Sequence, residues 1–119
     1  MNNTVEVNEY NKTKSWFLDG TLHREDGPAI EYANGTKWWW LNGKRHRKDG
    51  PAYEDANGTK CWYINGKLHR EDGPAHEDAN GTKYWYLNGK GLTEAEFNLE
   101  MKKTIVIDGI TYKLVKLWA

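Results

Sequence analysis

An all-β fold of stacked β-hairpin repeats, a solenoid closed by a C-terminal helix and hairpin, is what this chain predicts. Three observations lead there. The stretches GPAIEYANGTKWWWLNGKRHRKD from Gly27 and GPAYEDANGTKCWYINGKLHRED from Gly50 agree at most positions, and GPAHEDANGTKYWYLNGK follows from Gly73, a period of 23 residues. Asn-Gly occurs twice in each unit, and this pair tolerates the positive φ of tight hairpin turns. Aromatic and β-branched side chains fill the segments between the turns, which favours strand over helix. A fixed repeat of this length marks supersecondary units that cannot bury their apolar faces alone and stack to do so.

The earliest unit is degenerate. Asn11-Lys12-Thr13-Lys14 falls on the NGTK positions, and Trp16, Asp19-Gly20 and His23-Arg24 fall on theirs. The units are therefore expected at about 4–26, 27–49, 50–72 and 73–91, together forming a repeat region over 1–91. Within the second unit, strands are expected over about 29–32, 36–41 and 45–47, before Asp49-Gly50-Pro51 turns the chain.

Beyond Lys90 the pattern changes, and 92–119 is expected to be a cap. Thr93 as N-cap and Glu96 three residues on form a capping box, with Leu92 and Phe97 as a hydrophobic staple, so a helix is expected over about 94–102. Lys102 and Lys103 suit its negative end. Alternation on either side of Asp108-Gly109 predicts a hairpin over about 104–117, covering the last open edge of the solenoid.

A chain of 119 residues with 17 lysines plus arginines and 17 aspartates plus glutamates has room for one modest core and no net charge. No global field draws it to nucleic acid or an anionic membrane, so no sequence-specific nucleic-acid partner is expected. The polar opening MNNTVEVNEY lacks the apolar run of an export signal, and the single cysteine, Cys61, has no partner in the chain. Both suit a cytoplasmic protein. The Asn-Gly-Thr triplets at 34, 57 and 80 are expected to be turns rather than glycosylation sites.

Positions held in every copy serve the shared architecture, whereas varying ones are available for other work. Trp16, Trp39, Trp62 and Trp85 occupy one position, with Leu18, Leu41, Ile64 and Leu87 two residues on, so the two sets share a strand face and are expected to form a buried ladder. The opposite face carries Ser15, Trp38, Cys61 and Tyr84, then Phe17, Trp40, Tyr63 and Tyr86. Left exposed, such an aromatic surface marks an interaction site.

His23-Arg24, His46-Arg47 and His69-Arg70 raise a metal-binding alternative, but zinc needs its nitrogens about 2.0–2.1 Å from one ion. Equivalent residues of successive two-stranded units sit roughly 10 Å apart. The fourth copy, with no unit after it, has Leu92-Thr93 instead. A junction role follows, with each arginine near Asp26, Asp49 or Asp72 and each histidine bonded to turn backbone. The acidic turns lack the spacing of a calcium loop. No nucleophile motif, phosphate loop or metalloprotease motif is present, so neither catalysis, a cofactor nor a metal is expected.

Recognition is expected to centre on Trp38, Trp40, Tyr63, Tyr84 and Tyr86, with Lys44, Arg45, Arg47 and Lys48 supplying positive charge. Aromatic faces stack on bases and cations pair with phosphates or acidic side chains. A small nucleotide, an oligonucleotide and an acidic protein surface are the partners such a surface admits.

The run Trp39-x-x-Asn42-Gly43-Lys44-x-His46, continuing through Asp49-Gly50, resembles the MORN repeat class over roughly residues 4–90. His69-Arg70-Glu71-Asp72-Gly73-Pro74-Ala75 resembles the "HREDGPA" repeats of uncharacterised proteins from tailed phages and giant viruses. These resemblances imply hairpin arrays that bind or scaffold, in some MORN members to phospholipid, and no catalytic residues. They also suggest a viral protein that binds and neutralises a host factor, such as an antiviral defence protein, in the host cytoplasm.

Overall fold

The computed structural model describes residues 2–114, a molecule of 61 × 38 × 21 Å that is mostly β. Strand β1 (Asn3–Val7) pairs along its whole length with β2 (Lys14–Leu18), which turns into β3 (Thr21–Leu22). The second unit comprises β4 (Ile30–Glu31), β5 (Lys37–Trp38), β6 (Trp40–Leu41) and β7 (Lys44–Arg45). Its counterpart in the third is β8 (Tyr53–Glu54), β9 (Lys60–Cys61), β10 (Tyr63–Ile64) and β11 (Lys67–Leu68). The fourth has β12 (His76–Glu77), β13 (Lys83–Leu87) and β14 (Lys90–Leu92).

One antiparallel sheet runs through the stack in the order β1-β2-β4-β5-β8-β9-β12-β13-β14, with β3 branching from β2. The pairs β6–β7 and β10–β11 form a second layer of hairpins, joined between units by Gly43 N to Leu22 O at 2.9 Å, Gly66 N to Arg45 O at 2.8 Å and Gly89 N to Leu68 O at 2.8 Å.

The strand expected over 36–41 is thus divided at Trp39, and its third-unit counterpart at Trp62. The tryptophan backbone explains the division. Trp39 N–H donates to Ala52 O of the following unit, while Trp39 O accepts from His46 N–H of its own unit, so its two polar groups serve different layers. The third strand covers Lys44–Arg45 rather than 45–47, because Arg47 N–H turns instead to Tyr63 O.

The two Asn-Gly pairs of each unit make different turns. At Asn42-Gly43 both residues have positive φ, 49° and 77°, the two-residue type I′ geometry that suits strand twist. At Gly35 only the glycine is positive, and a wider loop closes through Tyr32 N–H to Thr36 O, with Asn34 Oδ1 accepting from Thr36 N–H.

The core differs from the expected tryptophan ladder. Trp16, Trp39, Trp62 and Trp85 are half-buried, as are Leu18, Leu41, Ile64 and Leu87. Complete burial falls instead to Ala29, Ala52 and Ala75, each at 0% exposure. Only a small residue fits where each short strand is clasped by the tryptophan strands on both sides, Ala52 O accepting from Trp39 N–H and Ala52 N–H donating to Cys61 O. Trp16, Trp39 and Trp62 are each roofed by an arginine.

At the C-terminal end, helix α1 (Glu94–Met101) begins with the expected capping box and packs on β13 and β14, burying Phe97. Strands β15 (Thr104–Ile107) and β16 (Ile110–Lys113) form the hairpin. The expected hairpin extended to 117; residues 115–117 lie outside the described residues. Among the described residues β15 and β16 pair only with each other, outside the main sheet. None of the described helices is long and apolar enough to cross a membrane.

Candidate functional site

Cross-strand register sorts the side chains of the main sheet into two rows. One row runs Lys14, Glu31, Lys37, Glu54, Lys60, Glu77, Lys83, alternating charge at every step. Opposite charges facing each other across strands stabilise the pairing. The other row runs Ser15, Ile30, Trp38, Tyr53, Cys61, His76, Tyr84. The alternation of strand side chains places these rows on opposite faces.

The charged face carries the junctions. The arginine of each of the first three units lies over its tryptophan: Arg24 over Trp16 at 4.0 Å, Arg47 over Trp39 at 4.0 Å and Arg70 over Trp62 at 3.8 Å. Each also donates from Nε to the aspartate two residues on, Asp26, Asp49 or Asp72, and from Nη1 to the carbonyl of Pro28, Pro51 or Pro74. The Arg47 hydrogen bond holds the Asp49 carboxyl below its usual range. Each histidine reaches forward one unit: Nδ1 of His23, His46 and His69 accepts from the backbone N–H of Asn42, Asn65 and Asn88, all at 2.9 Å. Among the described residues no group of three or more potential ligands is placed to hold a metal ion.

The aromatic face carries a tighter cluster. The Trp38 ring lies 4.3 Å from Tyr53, 5.8 Å from Tyr63 and 6.4 Å from Trp40. Arg45, opposite Trp40 in the β6–β7 hairpin, spreads over both Tyr63 at 4.5 Å and Trp38 at 5.6 Å. Burial pushes the Tyr63 phenol up, against the nearby Arg45 charge, and burial with Asp55 beside it does the same for Tyr53. One unit on, Tyr84 is 44% exposed and meets His76 edge-on at 5.3 Å. Tyr86 is half-buried near Tyr63.

Of the expected site residues, the structure gathers Trp38, Trp40, Tyr63 and Arg45, with Tyr84 and Tyr86 farther along the stack. It separates the other basic residues from them. Arg47 is engaged with Trp39, and Lys48 is exposed beside it on the wall of a groove of about 610 Å³ that Met101 and Val106 complete. Lys44 pairs opposite Leu41 and is exposed. Hence the basic run 44–48 is not one patch.

Two features escape a reading by repeat position. Tyr53, in a short strand judged only by its turn signals, proves to be Trp38's closest aromatic neighbour. In addition, Cys61 Sγ lies 3.3 Å from His76 Nδ1, and His76 Nε2 lies 2.7 Å from Asp78 Oδ1. That connectivity matches a thiol, a base and an orienting carboxylate. The environment opposes its use: Cys61 is 7% exposed, and burial, with Asp78 and Asp55 nearby, pushes its thiol up to about 11. Nucleophilic cysteines need the opposite shift. Cys61 and His76 meet because they are direct cross-strand partners from different units, a register the repeat positions alone do not give.

Comparison with protein-family models, curated proteins and solved structures gives no match for this chain.

Proposed function

We propose that this chain is a non-catalytic recognition protein that engages a partner protein through the aromatic face centred on Arg45, Trp38 and Tyr63. In the viral setting suggested by the repeat type, that partner is a host factor such as an antiviral defence protein. The observation that carries the reading is Arg45: a guanidinium spread across two rings, with Tyr84 exposed beyond it. Aromatic and arginine side chains dominate the energetics of protein interfaces.

The test is capture from host lysate with wild-type protein beside an Arg45→Glu/Tyr84→Ala variant, with proteins and small molecules both identified by mass spectrometry. Tyr84 is exposed and Arg45 half-buried, whereas Trp38 packs on Tyr53 and Trp40 has a buried indole nitrogen, so removing either indole would confound binding with unfolding. A protein captured by wild type and lost by the variant is the expected result. A nucleotide recovered instead would assign the face to sequestration, and vesicle binding or concentration-dependent assembly would assign the chain to scaffolding.

A further inference from the structure

The main sheet stops one strand short on half of β13. At each earlier junction a short strand docks on the tryptophan strand of the preceding unit in the same way: Trp16 N–H donates to Ala29 O at 2.8 Å, Trp39 N–H to Ala52 O at 2.7 Å and Trp62 N–H to Ala75 O at 2.7 Å. Two residues after each alanine stands a glutamate, Glu31, Glu54 or Glu77, opposite the lysine of the preceding unit, Lys14, Lys37 or Lys60. In the fourth unit Lys83 faces Glu77 on one side only, and β13 meets β14 through residues 85–87 alone. Among the described residues no strand pairs with Lys83 or Tyr84 on the other side. A groove of about 360 Å³ opens there, between Lys83, Tyr84 and Trp85 on the sheet and Leu92, Glu94 and Glu96 at the start of α1.

We propose that this edge is a second docking site, for an extended peptide of a partner protein that adds a strand beside Lys83 and Tyr84. The peptide places an acidic residue opposite Lys83 and the residue before it opposite Tyr84, the register of Glu54 and Tyr53 on Lys37 and Trp38. Strand addition to an open edge draws its affinity from main-chain hydrogen bonds and its selectivity from alternate side chains. The three internal junctions display that selectivity. An acid is required because the alternating row ends on an exposed lysine, whereas the buried alanine of the internal junctions has no counterpart here, since Leu92 already pairs with Trp85. On the far wall the Glu96 carboxylate is engaged by Thr93 N–H in the helix cap and Glu94 also lines the groove, so Lys83 is the one cation among the groove's described lining.

The probe is a synthetic peptide with the sequence of residues 50–58, GPAYEDANG, which docks on the equivalent edge within the fold. It is titrated into full-length protein while backbone amide signals are followed by NMR. The expected result is perturbation centred on Lys83 and Tyr84, with a Glu54→Lys version of the peptide binding about tenfold more weakly, as reversal of a directly opposed charge pair implies. A Lys83→Glu protein should prefer the lysine peptide. Absence of perturbation at Lys83 and Tyr84, or indifference to both charge reversals, overturns the proposal. Concentration-dependent shifts of the same amides without peptide would give the edge to a second copy and overturn it too. Capture through the Arg45 face is read separately and does not depend on this result.

Discussion

His46 Nδ1 accepts a 2.9 Å hydrogen bond from the backbone N–H of Asn65, nineteen residues later and one unit up the stack. The bond requires a neutral imidazole with Nδ1 unprotonated. Burial and the neighbouring Lys48 charge both push the His46 pKa below its usual value. Below pH about 6.5 the unfolded chain therefore takes up a proton that the folded chain resists, so stability falls with falling pH until the lower folded pKa is passed. His46→Asn keeps an acceptor in place of Nδ1 and should flatten that part of the stability profile, as urea unfolding from pH 7.5 to 5 will show.

Arg47 and Gly50 form one device. A Cβ on Gly50 would stand 2.9 Å from the Arg47 guanidinium carbon, inside the space the arginine needs to lie on Trp39. Arg47→Ala removes a cation–π contact and a charged hydrogen bond to Pro51 O, at about 2–3 kcal/mol. The Arg47–Asp49 pair adds little, because Asp49 is exposed. Gly50→Ala should cost about 1–2 kcal/mol beside Arg47, the scale of overpacking. In the Arg47→Ala background it should cost nothing or stabilise slightly, because alanine restricts the unfolded chain. Equal costs in both backgrounds would mean the glycine serves something else.

The charged row predicts a salt-dependent defect. Lys60 stands between Glu54 and Glu77. Lys60→Glu places three acids in line and should cost about 1–2 kcal/mol at low ionic strength. Because the row is open to solvent on one side, the deficit should shrink in 1 M salt, where the screening length is about 3 Å.

Cys61 should be nearly inert in the folded protein. With its thiol near 11, the thiolate fraction at pH 8 is about a hundredfold below that of an ordinary cysteine. Alkylation by iodoacetamide at pH 8 should be slower by at least that factor than in the denatured chain. Rapid native alkylation would show that His76 holds the sulfur as thiolate and would reopen a nucleophilic role.

How far the sequence carried depends on which interactions are local to a unit. The type I′ turns, the Thr93–Glu96 cap and the arginine–aspartate pairs follow from residues within a few positions, and they stand where turn and capping chemistry put them. The core did not follow, because burial here is set by how closely strands clasp. Ala52 vanishes between two strands, while Trp39, three times its size, is left half-open and roofed by Arg47. The basic run 44–48 misled for a related reason: the chain leaves the sheet after Arg45, so Arg45 and Arg47 part company despite being two residues apart. The Cys61–His76 contact depends on register between different units, which no single unit reveals.

Binding of the captured partner to Arg45→Glu and Lys48→Glu proteins, compared by calorimetry at equal ionic strength, tests most directly whether one face of the sheet does the recognising. Both substitutions change net charge by the same amount, but only Arg45 lies on Trp38 and Tyr63. At least a tenfold loss of affinity is expected for Arg45→Glu, the scale of a buried interface arginine, with Lys48→Glu close to wild type. Equal losses for the two, or an Arg45→Glu protein that binds unchanged, would contradict it.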